Sequence, residues 1–386
     1  MQHQPCCTPL RVRALPQVAI ACLILTLAGC GRFTTLKTEV TRLEGDLYLR
    51  GDVTGVVAPA APVNVLVFLN PKPKEFTILD GAILQPGDDS FAFSLPPGGP
   101  YYVVAYEDSD HNGRYDAGEP GWVYGKPDAI DFQGQRRSAR LTVALDPNLK
   151  PSSELVEGLR AARSGRSIAE LAQGHRMPIS LGQIADLDAS RFNPEVGELG
   201  LWQPATFLNE HGIGIYFAKP YDPNLIPVLL VHGASGTPRV WEDFAPRLDP
   251  KRFQVWYYSY PSGARLERAA EALEVAVADL HARYKFPRLD VVAHSMGGLV
   301  SRSFLLQAKQ AGHADWLRHF VTISTPWGGH EAAALGVEYA PTSIPSWIDM
   351  QTNSDFTKKI YAENLPANVT YDLAFSFRGS GSVVLP

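Results

Sequence analysis

Cysteine is scarce in this sequence, and beyond residue 30 it is absent. All four cysteines fall within the first thirty residues, at Cys6, Cys7, Cys22 and Cys30. The rest of the chain has no thiol with which to form a disulfide. Its domains must therefore rely on packing, or on bound metal, for their stability.

Long runs of like charge are missing as well. The 386 residues carry 35 Lys and Arg against 40 Asp and Glu, a net charge of −5, without any basic stripe. This distribution excludes the electrostatic footprint of nucleic-acid binding. Hydrophobic residues at 45% and charged residues at 19% are instead typical of a folded globular protein, here long enough for two or three domains.

A long apolar run occurs near the N-terminus. The stretch "LPQVAIACLILTLAGC" follows Arg11 and Arg13. It is too short to span a membrane as a helix, but it has the length of a signal-peptide core. The alternatives are a plain secretory signal that contains a chance cysteine and a lipoprotein signal.

The end of the run, Leu27-Ala28-Gly29-Cys30, resembles a bacterial lipobox. In such proteins the signal, here residues 1–29, is cut off and the cysteine carries a lipid. The resemblance implies a lipid anchor on Cys30 and a place in the bacterial cell envelope. The residue after the cysteine is Gly31 and not Asp. In this respect the sequence resembles lipoproteins that are sent to the outer membrane.

Residues 30–147 read as a β-rich domain. The runs "NVLVFL", "FAFSL", "YYVVAYE" and "ARLTVAL" are short and rich in β-branched and aromatic residues. Clusters of Pro and Gly such as "LPPGGP" separate them. The pattern predicts a small all-β sandwich of the immunoglobulin or transthyretin-like kind.

Inside this domain the stretch "DSDHNGRYDAGE" has the ligand spacing of a twelve-residue calcium loop. Its flanks are not helical, so it is not an EF-hand. It resembles the calcium loops of bacterial surface β-sandwich repeats, and the alternative is an acidic hairpin held by Asx turns without metal. The candidate ligands are the side chains of Asp108, Asp110, Asn112, Asp116 and Glu119 and the carbonyl of Arg114, with Gly113 at the sharp turn.

The remainder of the chain is organised differently. Residues 148–200 contain two short helical patterns and read as a connector. From residue 201 to 386, apolar strand candidates alternate with helices, the clearest of which runs from about 263 to 286. Its apolar residues recur in steps of four and three, which gives one buried stripe. Such alternation predicts a mostly parallel sheet covered on both faces.

One serine stands at a corner of this second domain. In "DVVAHSMGGLVSR" a strand leads to His294-Ser295-Met296, and Gly297-Gly298 then enter a helix. This is the arrangement of a nucleophile elbow, whose tight turn needs small residues two before and two after the serine. Ala293 here replaces the first glycine of the G-x-S-x-G pattern.

Two further motifs accompany the elbow. "LLVHGASG" ends an earlier strand with His232-Gly233, and "ISTPWGGH" follows the elbow by one helix. In this order the three motifs resemble the α/β-hydrolase superfamily, specifically its bacterial lipase and PGAP1-like serine esterase branch. The resemblance implies a serine hydrolase of carboxylic esters without a catalytic cofactor, acting on a lipid or small ester. Ser295 would attack the acyl carbon, while the backbone N–H groups of Met296 and Ala234 would hold the oxyanion.

The partners of Ser295 are not evident. In this fold the acid and the histidine follow the nucleophile, yet no histidine follows His330 and no acidic residue follows Asp372. His232 and His294 read as structural members of their motifs. We expect a chain that ends before the final strand, acid and histidine. The alternatives are His330 as the base, with Glu331 or Asp349, and a degenerate hydrolase fold in a binding or adhesion lipoprotein.

Overall fold

The computed structural model describes residues 31–58, 60–69, 77–116, 118–124, 129–132, 138–149, 152–163, 175–375 and 383–385. The leader at 1–29 and Cys30 lie outside these residues, so the lipid anchor stays a prediction. Within the described part of the chain, no helix combines the length and the apolar composition needed to cross a membrane.

The N-terminal half contains the predicted sandwich. One sheet has three strands in the order β4-β1-β7, and the other has four in the order β3-β2-β5-β6. The strand pairs are antiparallel except for β1 and β7, which run parallel. The strands are β1 (Leu47–Thr54), β2 (Val63–Leu69), β3 (Thr77–Leu84), β4 (Ser90–Leu95), β5 (Tyr101–Glu107), β6 (Gly121–Tyr124) and β7 (Ser138–Ala144).

The two sheets of the sandwich enclose one apolar core. Alternate residues of β1 and β4, such as Leu49 and Phe93, face alternate residues of β2 and β5, such as Val65 and Val103. All four are fully buried. Because successive side chains of a strand point to opposite faces, each sheet has one apolar face, and the two apolar faces pack against each other.

The C-terminal half is built on an eight-stranded sheet in the order β15-β14-β13-β12-β10-β11-β9-β8. Neighbours run parallel except at β9/β11 and β14/β15. The strands are β8 (Ile179–Ile184), β9 (Ile213–Phe217), β10 (Ile226–Val231), β11 (Phe253–Ser259), β12 (Leu289–His294), β13 (Leu317–Ile323), β14 (Thr370–Phe375) and β15 (Val383–Leu385). The first of these strands lies in the segment that the sequence assigns to a connector.

Helices precede and follow these strands. Residues 31–45 form α1. The others are α2 (Ser153–Arg163), α3 (Pro194–Trp202), α4 (Pro204–Glu210), α5 (Leu266–Tyr284), α6 (Met296–Gln310), α7 (Glu331–Tyr339), α8 (Pro345–Asp349) and α9 (Asp355–Tyr361). The helix expected near 263–286 is α5, and the stripe that includes Leu273 and Val277 is buried as predicted.

Both faces of the central strands are covered. Leu229, Trp256 and Val291 belong to the larger core, which α5 and α6 complete. On the opposite face, Leu230 and Val292 belong to a second cluster. A strand buried on both faces reads as a continuous apolar run, which explains sequences such as "PVLLV".

Candidate active site

Ser295 occupies the corner between β12 and α6. Its backbone has φ 54° and ψ −130°, a conformation that residues with a side chain rarely adopt. The turn is held by two hydrogen bonds: the Ser295 N–H donates to the Ile323 carbonyl (2.8 Å), and the Gly298 N–H donates to the Ser295 carbonyl (3.0 Å). Such strain costs about 1–3 kcal/mol, and it is typical of functional sites.

The small residues around Ser295 are required by close packing. A Cβ at Gly297 would lie 2.4 Å from the His232 carbonyl oxygen, and one at Gly298 would lie 2.0 Å from the Thr325 hydroxyl oxygen. Ala293 is fully buried and sits between Val231 of β10 and Thr322 of β13. The A-x-S-x-G pattern thus fits the elbow as well as G-x-S-x-G would.

The loop after β10 meets the elbow directly. A Cβ at Gly233 would lie 2.9 Å from the Ser295 Cβ and 3.3 Å from its hydroxyl oxygen. The next residue is Ala234, whose N–H is one of the predicted oxyanion donors. The other predicted donor, the N–H of Met296, opens α6, and N–H groups in a first helical turn have no partner within the helix.

A hydrogen-bonded clamp that the sequence analysis missed holds this loop. Ser235 has φ 54°; its N–H donates to the Ser262 hydroxyl (2.9 Å), and its own hydroxyl donates to the Glu198 carboxylate (2.5 Å). Gly197 brings α3 so close that a Cβ there would lie 2.3 Å from the Ser235 carbonyl oxygen. Glu198 and Ser235 are 37 positions apart, and no local motif links them.

His232 is locked into the protein interior. It is fully buried, and its ring stacks on Tyr260 with the centroids 4.3 Å apart. The Tyr260 hydroxyl donates to the His232 carbonyl (2.7 Å). Burial lowers the pKa of the imidazole to about 4. A neutral, enclosed ring of this kind serves packing.

His294 is exposed and turns its ring toward Trp241, with the centroids 6.5 Å apart in an edge-on arrangement. Partial desolvation lowers the pKa of this imidazole. The side chain follows Ala293 and precedes Ser295, so strand alternation directs it away from its neighbours.

His330 lies in the loop after β13, at the same edge of the sheet. Its backbone N–H donates to the Met350 carbonyl (2.9 Å), and its exposed side chain stands just before α7. Neither its ring nor the Ser295 hydroxyl makes a side-chain hydrogen bond to any described residue. The two proposed partners of His330 differ: Glu331 is exposed, while Asp349 is buried.

Asp349 is engaged elsewhere. One carboxylate oxygen accepts from the Arg265 guanidinium (2.6 Å) and the other from the Leu266 N–H (2.8 Å), at the start of α5. Burial raises the pKa of this carboxyl, against the lowering effect of Arg265. Asp349 therefore fixes the N-terminus of α5 and does not orient the His330 ring.

The predicted calcium loop brings three carboxylates together. Oxygens of Asp108, Asp110 and Glu119 lie within 4.8 Å of one another. Asp116 and Asn112 are joined instead by a hydrogen bond from the Asn112 amide to the Asp116 carboxylate (2.5 Å). Burial, followed by the charges of Asp108 and Asp110, raises the pKa of Glu119, although backbone N–H groups partly oppose the shift.

The comparisons with known proteins agree with this fold. A family model described as alpha/beta hydrolase fold matches residues 226–368. Phosphatidylcholine-sterol acyltransferase from Gallus gallus is 37% identical over 57 residues, which are 15% of this chain and 14% of that protein. The matched residues lie in the C-terminal domain, which has the α/β-hydrolase fold, as the three motifs predict.

Solved structures of lipases are also similar to part of this chain. The mature lipase BlEst2 from Bacillus licheniformis is 18% identical with a TM-score of 0.35, covering 41% of this chain and 70% of that one. Phospholipase PlaB from Legionella pneumophila is 19% identical with a TM-score of 0.33, covering 39% of each chain. Aspergillus fumigatus lipase B is 18% identical with a TM-score of 0.33, covering 38% of this chain and 36% of that one.

Proposed function

We propose that the C-terminal domain hydrolyses carboxylic esters through an acyl-enzyme on Ser295. The observation that carries the proposal is the strained backbone of Ser295, which places a partly exposed hydroxyl at the carboxyl edge of a mostly parallel sheet. This edge is where open α/β folds bind their ligands. The match of residues 226–368 to the alpha/beta hydrolase fold model supports the same chemistry.

In the proposed reaction the Ser295 oxygen forms a bond to the acyl carbon while its proton passes to a base. The ester C–O bond then breaks, and the proton leaves with the alcohol. Water attacks the acyl-enzyme, releases the carboxylic acid and restores the serine. The N–H groups of Met296 and Ala234 stabilise the oxyanion in both steps.

The proposed base is His330. It follows β13, which pairs directly with the strand that carries Ser295, and its ring is exposed. His232 and His294 are poorer candidates because one is enclosed and the other faces Trp241.

Hydrolysis of p-nitrophenyl esters by the full chain tests the proposal. We expect activity that Ser295→Ala abolishes and His330→Ala reduces by at least about a hundredfold, as the loss of a general base does. The matched control is His313→Ala, which removes an exposed imidazole bonded to Glu274 (2.7 Å). If Ser295→Ala retains full activity, the proposal fails. If wild type is inactive on short and long acyl chains alike, hydrolysis with His330 as the base is refuted.

A further inference from the structure

The loop between β5 and β6 holds a cluster of carboxylates that the hydrolase chemistry does not use. Asp108 is 4% exposed and Glu119 is 7% exposed, yet their oxygens and those of Asp110 lie within 4.8 Å of one another. Two buried carboxylates beside a third charge repel one another unless a cation lies between them or one of them takes up a proton.

The hydrogen bonding of Asp108 is independent evidence that the loop binds a ligand. One of its oxygens accepts from the Gly113 N–H (2.8 Å) and from the Asn64 amide (3.2 Å). The other oxygen is buried and has no hydrogen-bond partner among the described residues. A buried carboxylate oxygen without a partner is costly, and a metal ion would satisfy it.

The backbone of the loop is already shaped around this point. Gly113 has φ 72°, which permits the sharp turn, and its carbonyl accepts from the Tyr106 hydroxyl (3.0 Å). Glu119 reaches back across the loop, where its two oxygens accept from the N–H groups of Ser109 and Asp116 (2.8 Å each). These bonds hold the first and last ligands together.

We propose that this loop binds one calcium ion through Asp108, Asp110 and Glu119 and that the ion secures the loop to the sandwich. The donors are all oxygens, which hard cations prefer. Calcium tolerates the irregular geometry and high ligand number of a twelve-residue loop better than magnesium does. Affinity is expected in the range of extracellular modules, about 10⁻⁴ to 10⁻³ M.

The ion would also order the contacts that Tyr115 makes beyond the loop. Tyr115 packs edge-on against Tyr106, with the centroids 5.8 Å apart, and its hydroxyl donates to the Leu149 carbonyl (3.3 Å). Ordering the loop therefore holds Tyr115 against the chain that leaves the sandwich. The exposed Arg114 beside it offers trypsin a cleavage site inside the loop.

Calcium titration of the full chain by calorimetry, together with tryptic cleavage at Arg114, tests the proposal. We expect about one ion per chain, and cleavage at Arg114 slowed at least about tenfold by saturating calcium relative to chelator. Terbium should give luminescence sensitised by Tyr106 or Tyr115 that calcium displaces.

Two variants make the test specific. Asp110→Asn removes the negative charge of an exposed ligand and should lower both the heat of calcium binding and the protection from trypsin while leaving the fold intact. Asp131→Asn changes an exposed acid elsewhere in the sandwich and should behave as wild type. Cleavage at the same rate with calcium and chelator, or equal binding by Asp110→Asn, would overturn the site. Binding of magnesium as tight as that of calcium would overturn the choice of ion.

Discussion

A Cβ atom added at Gly233 would lie 2.9 Å from the Ser295 Cβ, so the loop after β10 and the elbow after β12 meet in backbone contact. The two residues follow adjacent parallel strands, β10 and β12. Ala234, the proposed second oxyanion donor, is the residue that follows Gly233 in this loop. A shift of Gly233 or of Ser295 would therefore displace the other residue.

Gly233→Ala should therefore disable the site. The added methyl group collides with Ser295, and relief of the clash must shift one of the two loops. We expect ester hydrolysis to fall by at least about a hundredfold, as loss of an oxyanion donor does, with stability lowered by about 1–3 kcal/mol. Steady-state kinetics and urea unfolding measure the two effects. Unchanged kinetics would contradict the assigned contact.

Glu198→Gln should weaken catalysis by loosening the clamp on Ser235. The carboxylate accepts from the Ser235 hydroxyl at 2.5 Å, and a neutral amide is a weaker acceptor than a carboxylate. We expect kcat to fall about tenfold with little change in KM, because the oxyanion interaction strengthens in the transition state. Glu195→Gln, an exposed change on the same helix, is the control. A larger effect on KM than on kcat would mean that Glu198 positions substrate.

Buried His232 should make stability fall as the solution is acidified. Its folded pKa of about 4 lies below the ordinary value of 6.5, so the unfolded chain binds the proton first. Between pH 6.5 and 4 the free energy of unfolding should drop by about 3 kcal/mol from this group alone. Urea unfolding at about pH 7, 5.5 and 4, which spans this range, measures the slope. The slope should be shallower in His232→Gln than in wild type, and equal slopes would refute the assignment.

The lipid anchor is tested by Cys30→Ala. We expect the wild type to fractionate with membranes after a high-salt wash, and the variant to remain unprocessed or to become soluble, because the lipobox cysteine is the site of both steps. Cys22→Ala, within the apolar core of the leader, should behave as wild type. A Cys30→Ala protein that stays with the membranes after processing would show that the anchor lies elsewhere.

Local patterns in the sequence were sufficient for the sandwich, for the alternating strands of the sheet and for the elbow. Each depends on a period of two, on a helical stripe or on small residues at fixed offsets. The position of Ser295 on the corner between β12 and α6 follows from neighbouring residues alone. The same holds for the ligand spacing of the Asp108 loop.

Features that depend on contacts between residues far apart in the sequence could not be predicted from local patterns. The parallel pairing of β1 with β7 joins Tyr48 to Ser138, and the Arg265–Asp349 pair joins residues 84 positions apart. The strand β8 was missed because "ISLGQI" is short and contains Gly182, which has φ 93° and where a Cβ would lie 3.0 Å from the Phe217 ring. Tertiary contacts select these conformations, so local propensity does not reveal them.

Whether the Ser295 hydroxyl is activated as a nucleophile is tested most directly by labelling with a fluorophosphonate probe, followed by peptide mass spectrometry to locate the adduct. Such probes react with serines whose hydroxyl is activated, so wild type should carry one adduct on the peptide that contains Ser295. The adduct should be absent from Ser295→Ala and from protein denatured before labelling. Folded wild-type protein that carries no adduct, or carries it on another serine, would contradict the assignment of Ser295 as the nucleophile.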